Sequence, residues 1–196
     1  MRRLYESRID LPGTLPEGAA GIDAGLTLTK VVRASAGAIE AFAFKTETQS
    51  GDALAILTDA DAALGVTGAR AAAYAALPGA VGSQEIEAAA RGARALLSCA
   101  GAPDEAEFVR ALLGTGTAFA AVRGEKVQHL GGTPLGGGSF TGIARRIDPA
   151  LTYETMIAGA ARGDRRRADV MVSDAYPDGI GRIGGEMTAA HLAKRG

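Results

Sequence analysis

The chain has 196 residues, 47% hydrophobic and 22% charged, and its 21 Lys+Arg nearly balance its 22 Asp+Glu. This composition excludes a disordered chain and a polyanion-binding surface set by net charge, and the length suffices for one large domain or two small lobes. One cysteine, Cys99, excludes an internal disulfide; no apolar run reaches the roughly 18 residues of a membrane span, and Met1 to Glu6 lacks the apolar core of a signal peptide, so the expected compartment is the cytoplasm.

Residues 1–17 are polar, contain Pro12, Gly13 and Pro16, and read as an extended or loose arm. Ala19 to Asp23 reads as a short strand ended by Gly25. Thr27 to Ala34 and Ala41 to Thr46 are rich in Val, Ile, Phe and Thr and read as strands joined by a turn at Ala36-Gly37. Ala53 to Leu64 reads as a helix capped by Asp52, and Val66-Thr67-Gly68 as a strand end. Ser83 to Ala100 carries the clearest helix signal, with Ser83 as its cap, carboxylates in its first turn and Gly101 as its stop. A boundary is expected at Pro103-Asp104-Glu105. Beyond it, Phe108 to Leu113, Thr117 to Arg123 and Lys126 to Leu130 read as three strands. Helices are expected over Ser139 to Ile147 and Tyr153 to Arg162. Val170 to Ser173 reads as a short strand or a helical piece, and Met187 to Lys194 is helical by propensity. Each half follows the order strand, Gly/Thr turn, strand, strand, helix, without a strict sequence repeat.

Three segments carry residues suited to phosphate chemistry. In Gly21 to Lys30 a strand delivers Asp23, a turn holds Gly25, and the next strand opens with Thr27, Thr29 and Lys30. Glycine admits backbone N–H groups close to an anion, a hydroxyl donates to phosphate oxygen, and the amine adds a point charge. Asp23 can hold Mg²⁺ through water. The bland alternative is an ordinary hairpin with a turn carboxylate and a surface lysine. The second segment, Gly114-Thr115-Gly116-Thr117, again sets glycines and hydroxyls between strands; its alternative is a plain glycine hairpin. The third, Gly131 to Gly142, is glycine-rich and opens a helix, which is an anion site by helix-terminus physics. Its alternative is a flexible linker.

Together these segments resemble the actin-like ATPase and sugar kinase superfamily, and more narrowly the type II pantothenate kinases, the Fumble family. Further likeness lies in Val66-Thr67-Gly68-Ala69, in Glu85-Ile86-Glu87-Ala88-Ala89, and in the run from Gly163-Asp164 through Asp169 and Asp174-Ala175-Tyr176 to Gly185-Glu186-Met187-Thr188-Ala189-Ala190. The resemblance spans residues 20 to 192. It implies two α/β lobes of the ribonuclease-H-like kind with a nucleotide cleft between them. Residues 18–102 would form the first lobe and 103–196 the second, the latter incomplete.

The resemblance also implies ATP and Mg²⁺ as cofactors and pantothenate as substrate, with transfer of phosphate to give 4′-phosphopantothenate, the first step towards coenzyme A. It assigns Asp23, Gly25, Thr27 and Lys30 to the ATP phosphates and metal, and Gly114, Thr115, Gly116 and Thr117 to a second phosphate loop. Thr133, Gly136, Gly137 and Gly138 would line the nucleotide cleft. Glu85 matches the family's catalytic base, although a first-turn carboxylate also suits the helix dipole. An acyl-CoA regulator and a homo-oligomer, a dimer, are implied; neither nucleic acid nor membrane is.

This sequence departs from the family pattern at several positions. Leu26 replaces a second glycine, at a cost of about 1–2 kcal/mol if the position needs positive φ. His129 replaces an arginine that contacts the substrate and the transferred group; it is shorter and lacks the guanidinium fork. Leu112 and Ala118 replace polar residues. The sequence stops at Gly196 before the family's closing segment, an expected source of uncovered apolar surface. These departures support a second reading, a degenerate homologue that binds a nucleotide, an acyl-CoA or a partner chain without transferring phosphate.

Overall fold

The computed structural model describes residues 5–10, 17–57, 63–103 and 107–194. It is a mixed α/β protein with two compact units, Met1–Phe140 and Thr141–Gly196. The expected lobe boundary near residue 103 falls within the first unit, and Asp104 and Glu105 of its Pro103-Asp104-Glu105 signal lie outside the described residues.

The first unit opens with β1 (Tyr5–Asp10), β2 (Ala20–Ala24), β3 (Leu28–Ser35) and β4 (Ala38–Lys45), followed by α1 (Thr46–Leu57), β5 (Leu64–Thr67), β6 (Ala80–Gly82) and α2 (Glu85–Cys99). The strands form one sheet in the order β1-β4-β3-β2-β5-β6. Residues 5–10, expected as part of a loose arm, are an edge strand antiparallel to β4. The β3–β4 turn has positive φ at both Ala36 and Gly37, which matches the twist of a two-residue hairpin. The period-2 pleat sends Ile22 and Ala24 of β2 into a core with Val31, Phe42, Phe44, Ile56, Leu64 and Val66, and sets Asp23 on the other side of the strand.

Two helix starts differ from the sequence expectation. The helix foreseen over Ala53 to Leu64 begins seven residues earlier, at Thr46, and Leu64 is a strand residue, so Asp52 lies inside α1 rather than capping it. Thr46 N donates to Thr27 O, and Lys45 N donates to the Gln49 side chain, so the chain turns as soon as β4 ends. At α2 the cap position is Gln84, without a side-chain hydrogen bond. Ser83 is engaged elsewhere: its N–H donates to Val66 O and its carbonyl accepts from Thr67 Oγ.

A second sheet of the first unit contains β7 (Phe108–Leu113), β8 (Thr117–Arg123) and β9 (Lys126–Thr133), antiparallel in that order. A bulge separates the pairs Phe119↔Gly131 and Ala120↔His129. Helix α2 lies along this sheet, with Arg94 Nη2 2.8 Å from Gly124 O and its guanidinium 5.7 Å from the centre of the Phe108 ring.

Helix α3 (Gly137–Ile147) runs across the division between the units. The second unit continues with α4 (Tyr153–Arg162), whose start carries reciprocal hydrogen bonds between Thr152 and Thr155, and then β10 (Val170–Met171) and β11 (Thr188–Ala190). The tail expected to be helical is instead β11 and an irregular segment, with β11 paired antiparallel to β10. Two carboxylates organise it. Asp169 is buried and accepts hydrogen bonds from Thr188 Oγ and Leu192 N, with His191 Nδ1 3.0 Å away; Asp174 accepts from Met171 N and from Lys194. Local propensity loses here because a carboxylate fed by several donors fixes the backbone that supplies them.

These bonds give a pH prediction. The Leu192 N–H chiefly holds the Asp169 carboxyl below its ordinary range, and the Met171 N–H does the same for Asp174. A carboxyl depressed on folding contributes stability above its unfolded pKa of about 4 and loses it as pH falls through the lower folded value. Amide exchange protection at Met171 and Leu192 is therefore expected to be level at neutral pH and to fall below about pH 4. Asp169→Asn should lower protection at Leu192 at every pH; wild-type-like protection in that variant at neutral pH would refute the assignment.

Candidate active site

Asp23 sits at the end of β2 opposite Lys30 of β3, and Lys30 Nζ lies 2.7 Å from Asp23 Oδ2. Asp23 Oδ1 is buried without a hydrogen-bond partner among the described residues. Gly68, at φ +97°, makes that placement possible: a Cβ there would stand 2.6 Å from Asp23 Oδ1 and 2.7 Å from the Ala24 backbone. In the turn itself, a Cβ on Gly25 would meet Leu28 O at 2.7 Å, so glycine is required by close approach. Leu26 has no positive φ and is 54% exposed, so the conditional backbone cost of a leucine here does not arise.

Thr46 locks this turn, and no sequence pattern marks it. Its Oγ donates to Gly25 O at 3.0 Å and lies 3.1 Å from the Oγ of fully buried Thr29. Thr46→Val keeps the shape and removes the hydroxyl, leaving the half-buried Gly25 carbonyl and the buried Thr29 hydroxyl without that partner. The expected loss is about 1–3 kcal/mol of stability, read from chemical denaturation. An unchanged midpoint would show that the turn holds without it.

The second loop meets the first. Thr27 Oγ and Thr115 Oγ are 3.2 Å apart, so the two Gly/Thr turns expected to face one phosphate site share a hydroxyl contact. The glycine-rich segment packs onto the second loop: Gly137 N donates to Gly114 O at 2.9 Å, Gly138 N to Thr115 O at 3.0 Å, and Thr117 Oγ to Leu135 O at 2.8 Å. A Cβ on Gly136 would stand 2.7 Å from Thr115 O. The N–H groups of Gly137 and Gly138 therefore support the second loop, and the absence of side chains lets the loops touch. Thr133 closes the segment as the cross-strand partner of Thr117, with its Oγ accepting from Leu135 N.

Parallel pairing brings a further carboxylate to the same edge. Asp23 lies beside Thr67, and Val66 beside Gly82, so β2, β5 and β6 end together, and α2 opens at Glu85 three residues past Gly82. The crevice beyond the carboxyl ends of parallel strands is where open α/β sheets bind ligands. Glu85 is solvent-exposed there, which suits a base that must reach a substrate hydroxyl.

On the other sheet the bulge decides where His129 points. With Ala120 paired to His129, the imidazole shares a face with Ala120 and with Arg110, the β7 partner of Ala120. Without the extra residue, Leu130 would take that place. Arg110 is half-buried; burial pulls its guanidinium below its ordinary pKa, and the negative charge of Asp23 opposes that shift. The sequence signal was available: one arginine interrupts the otherwise apolar strand Phe108 to Leu113.

The residues fit a nucleotide–metal ligand. Asp23 Oδ1 is enclosed, so its other oxygen, Oδ2, which also meets Lys30, is the acceptor open to a water of a hydrated cation, and the paired glycine turns present backbone and hydroxyl groups together. No cluster of three or more His, Cys, Asp or Glu suited to a metal occurs among the described residues. One carboxylate with phosphate oxygens and waters is the coordination Mg²⁺ commonly accepts.

Residues 108–194 match the Fumble family. Over 175 residues the chain is 30% identical to a type II pantothenate kinase of Staphylococcus haemolyticus, a match that covers 88% of this chain and 65% of that protein. It is 32% identical to the type II pantothenate kinase of Oceanobacillus iheyensis over 92 residues, 47% of this chain and 34% of that one. The Staphylococcus aureus enzyme of that name is 32% identical over 108 residues, 55% of this chain and 40% of the relative. The chain thus covers less than two thirds of the length of these relatives.

Proposed function

This chain belongs to the type II pantothenate kinase family, and from that premise we propose that it phosphorylates pantothenate with ATP to give 4′-phosphopantothenate. The observation that carries the reading is the 3.2 Å contact of Thr27 with Thr115, which joins the two phosphate-suited turns beside Asp23 and Lys30. In this reading the first actin-like lobe is residues 18–102 and the second 103–196, and the nucleotide lies between the six-stranded and three-stranded sheets. Among the described residues no helix is long and apolar enough to cross a membrane. A cytoplasmic site of action is part of the proposal.

Gly25, Gly114 and Gly116 let the backbone approach the phosphates, while Thr27, Thr115 and Thr117 supply hydroxyl donors and Lys30 supplies charge. Asp23 would hold a Mg²⁺ ion, which when bound would neutralise phosphate charge. Thr133 and Gly136 to Gly138 support the cleft wall. Glu85 takes the proton from the primary hydroxyl of pantothenate as that oxygen attacks the γ-phosphorus and the bond to the bridging oxygen of ADP breaks. His129 faces the transferred group from β9. Val109 and Leu113, 64% and 77% exposed on the outer side of β7, support a homodimer. Acyl-CoA is the proposed regulator.

A coupled ADP-release assay with and without pantothenate tests the activity. A pantothenate-dependent rate is expected. ATP binding without such a rate would replace this reading with the degenerate, nucleotide-binding homologue that His129 favours.

A further inference from the structure

The acceptor proposed above is itself an anion: pantothenate carries a carboxylate at one end and the reacting primary hydroxyl at the other. It enters a crevice edged by Asp23 and Glu85 and shares it with a triphosphate, all negative, so its far end calls for a cation of the protein. Lys30 is already engaged, with its amine 2.7 Å from Asp23 Oδ2. The loops that follow the neighbouring parallel strands β2, β5 and β6 hold one basic residue, Arg70. Its backbone is fixed to that edge. Arg70 N donates to Ala24 O at 2.8 Å, which ties the loop after β5 to the residue after Asp23, and Ala73 N donates to Arg70 O at 3.1 Å. Gly68, two residues earlier, approaches Asp23 so closely that a Cβ there would stand 2.6 Å from Oδ1. At the end of β5, Thr67 Oγ donates to Ser83 O at 2.9 Å, two residues before Glu85. Arg70 therefore stands on the loop that hydrogen bonds connect to the Asp23 turn on one side and to the start of α2 on the other. Its side chain is exposed and makes no hydrogen bond or ion pair among the described residues. A free guanidinium offers a carboxylate two parallel N–H donors, and a backbone already held at the crevice lowers the cost of ordering it.

We propose that Arg70 is a specificity-determining residue that binds the carboxylate of the acceptor, so that the site selects a hydroxy acid over the matching neutral alcohol. The inference rests on the kinase reading of this crevice.

Steady-state ADP release by the full chain tests it, with pantothenate and with pantothenyl alcohol, in which the carboxyl is reduced to an alcohol. Arg70→Met is expected to raise KM for pantothenate about 10- to 100-fold, the range for a lost charged hydrogen bond, with kcat unchanged, because the carboxylate is remote from the reacting oxygen. Turnover of the alcohol, which has no charge to lose, should stay at the wild-type level, so the preference for acid over alcohol in kcat/KM falls by the same factor. Arg70→Lys should fall between wild type and Met, because it keeps charge and loses the fork. An unchanged KM for pantothenate in Arg70→Met overturns this inference and leaves the kinase reading intact. An equal loss on both substrates also overturns it, because the arginine then serves phosphoryl transfer or the fold rather than the carboxylate. A wild-type chain with no rate on pantothenate removes the kinase reading and this inference together.

Discussion

Glu85→Gln lowers the pantothenate-dependent rate of ADP release by at least about 10²-fold, the usual contribution of a positioned general base, and leaves MgATP affinity unchanged. The two readouts separate because of where the residue stands. Glu85 opens α2 beyond the ends of β5 and β6, and the groups proposed to meet phosphate belong to the two Gly/Thr turns. Glutamine is isosteric and retains the helix, so a loss of rate reports the missing proton acceptor. A first-turn carboxylate that only complements the helix dipole contributes about 0.3–1 kcal/mol to stability and nothing to rate. A Glu85→Gln variant that melts slightly earlier but turns over at the wild-type rate would assign Glu85 to that structural role and leave the reaction without its base.

Gly68→Ala unfolds the protein at a markedly lower temperature and abolishes measurable MgATP binding. Two costs coincide at this residue. An L side chain at φ +97° is strained by about 1–2 kcal/mol, and its Cβ would press on Asp23 Oδ1 and the Ala24 backbone, adding the about 1–3 kcal/mol typical of overpacking. At about 2–4 °C per kcal/mol for a chain of this size, the melting temperature should fall by about 4–20 °C. The carboxylate must also move, which breaks its 2.7 Å contact with Lys30. Gly92→Ala is the control. That glycine lies within α2, and a Cβ there would meet nothing within 4 Å, so alanine should stabilise by about 0.5–1 kcal/mol. Equal melting of Gly68→Ala and wild type would show that the β2 edge adapts freely and that Asp23 is not held by this glycine.

Local composition was legible in the residues alone. Enrichment in Val, Ile, Phe and Thr marked β3 and β4, Phe108 to Leu113 and Thr117 to Arg123 read as the strands β7 and β8, and Tyr153 to Arg162 read as α4. The segments that could serve phosphate were legible too, because glycines, hydroxyls and a carboxylate between strands are a chemical pattern that needs no coordinates. Whatever depends on a distant partner emerged only in the folded chain. Residues 5–10 became a strand because β4 offered an edge, and Met187 to Lys194 lost its helix because Asp169, far back in the chain, drew Thr188 and Leu192 to itself. Thr46 and Gly68 matter through contacts with Gly25 and Asp23 that no spacing reveals. The row that Arg110 shares with Ala120 and His129 came from the register, and the bulge at Leu130 turned the imidazole to that face. Propensity acts over a few residues, whereas register, bulges and buried carboxylates act across the sheet, and the candidate site is built from the second kind.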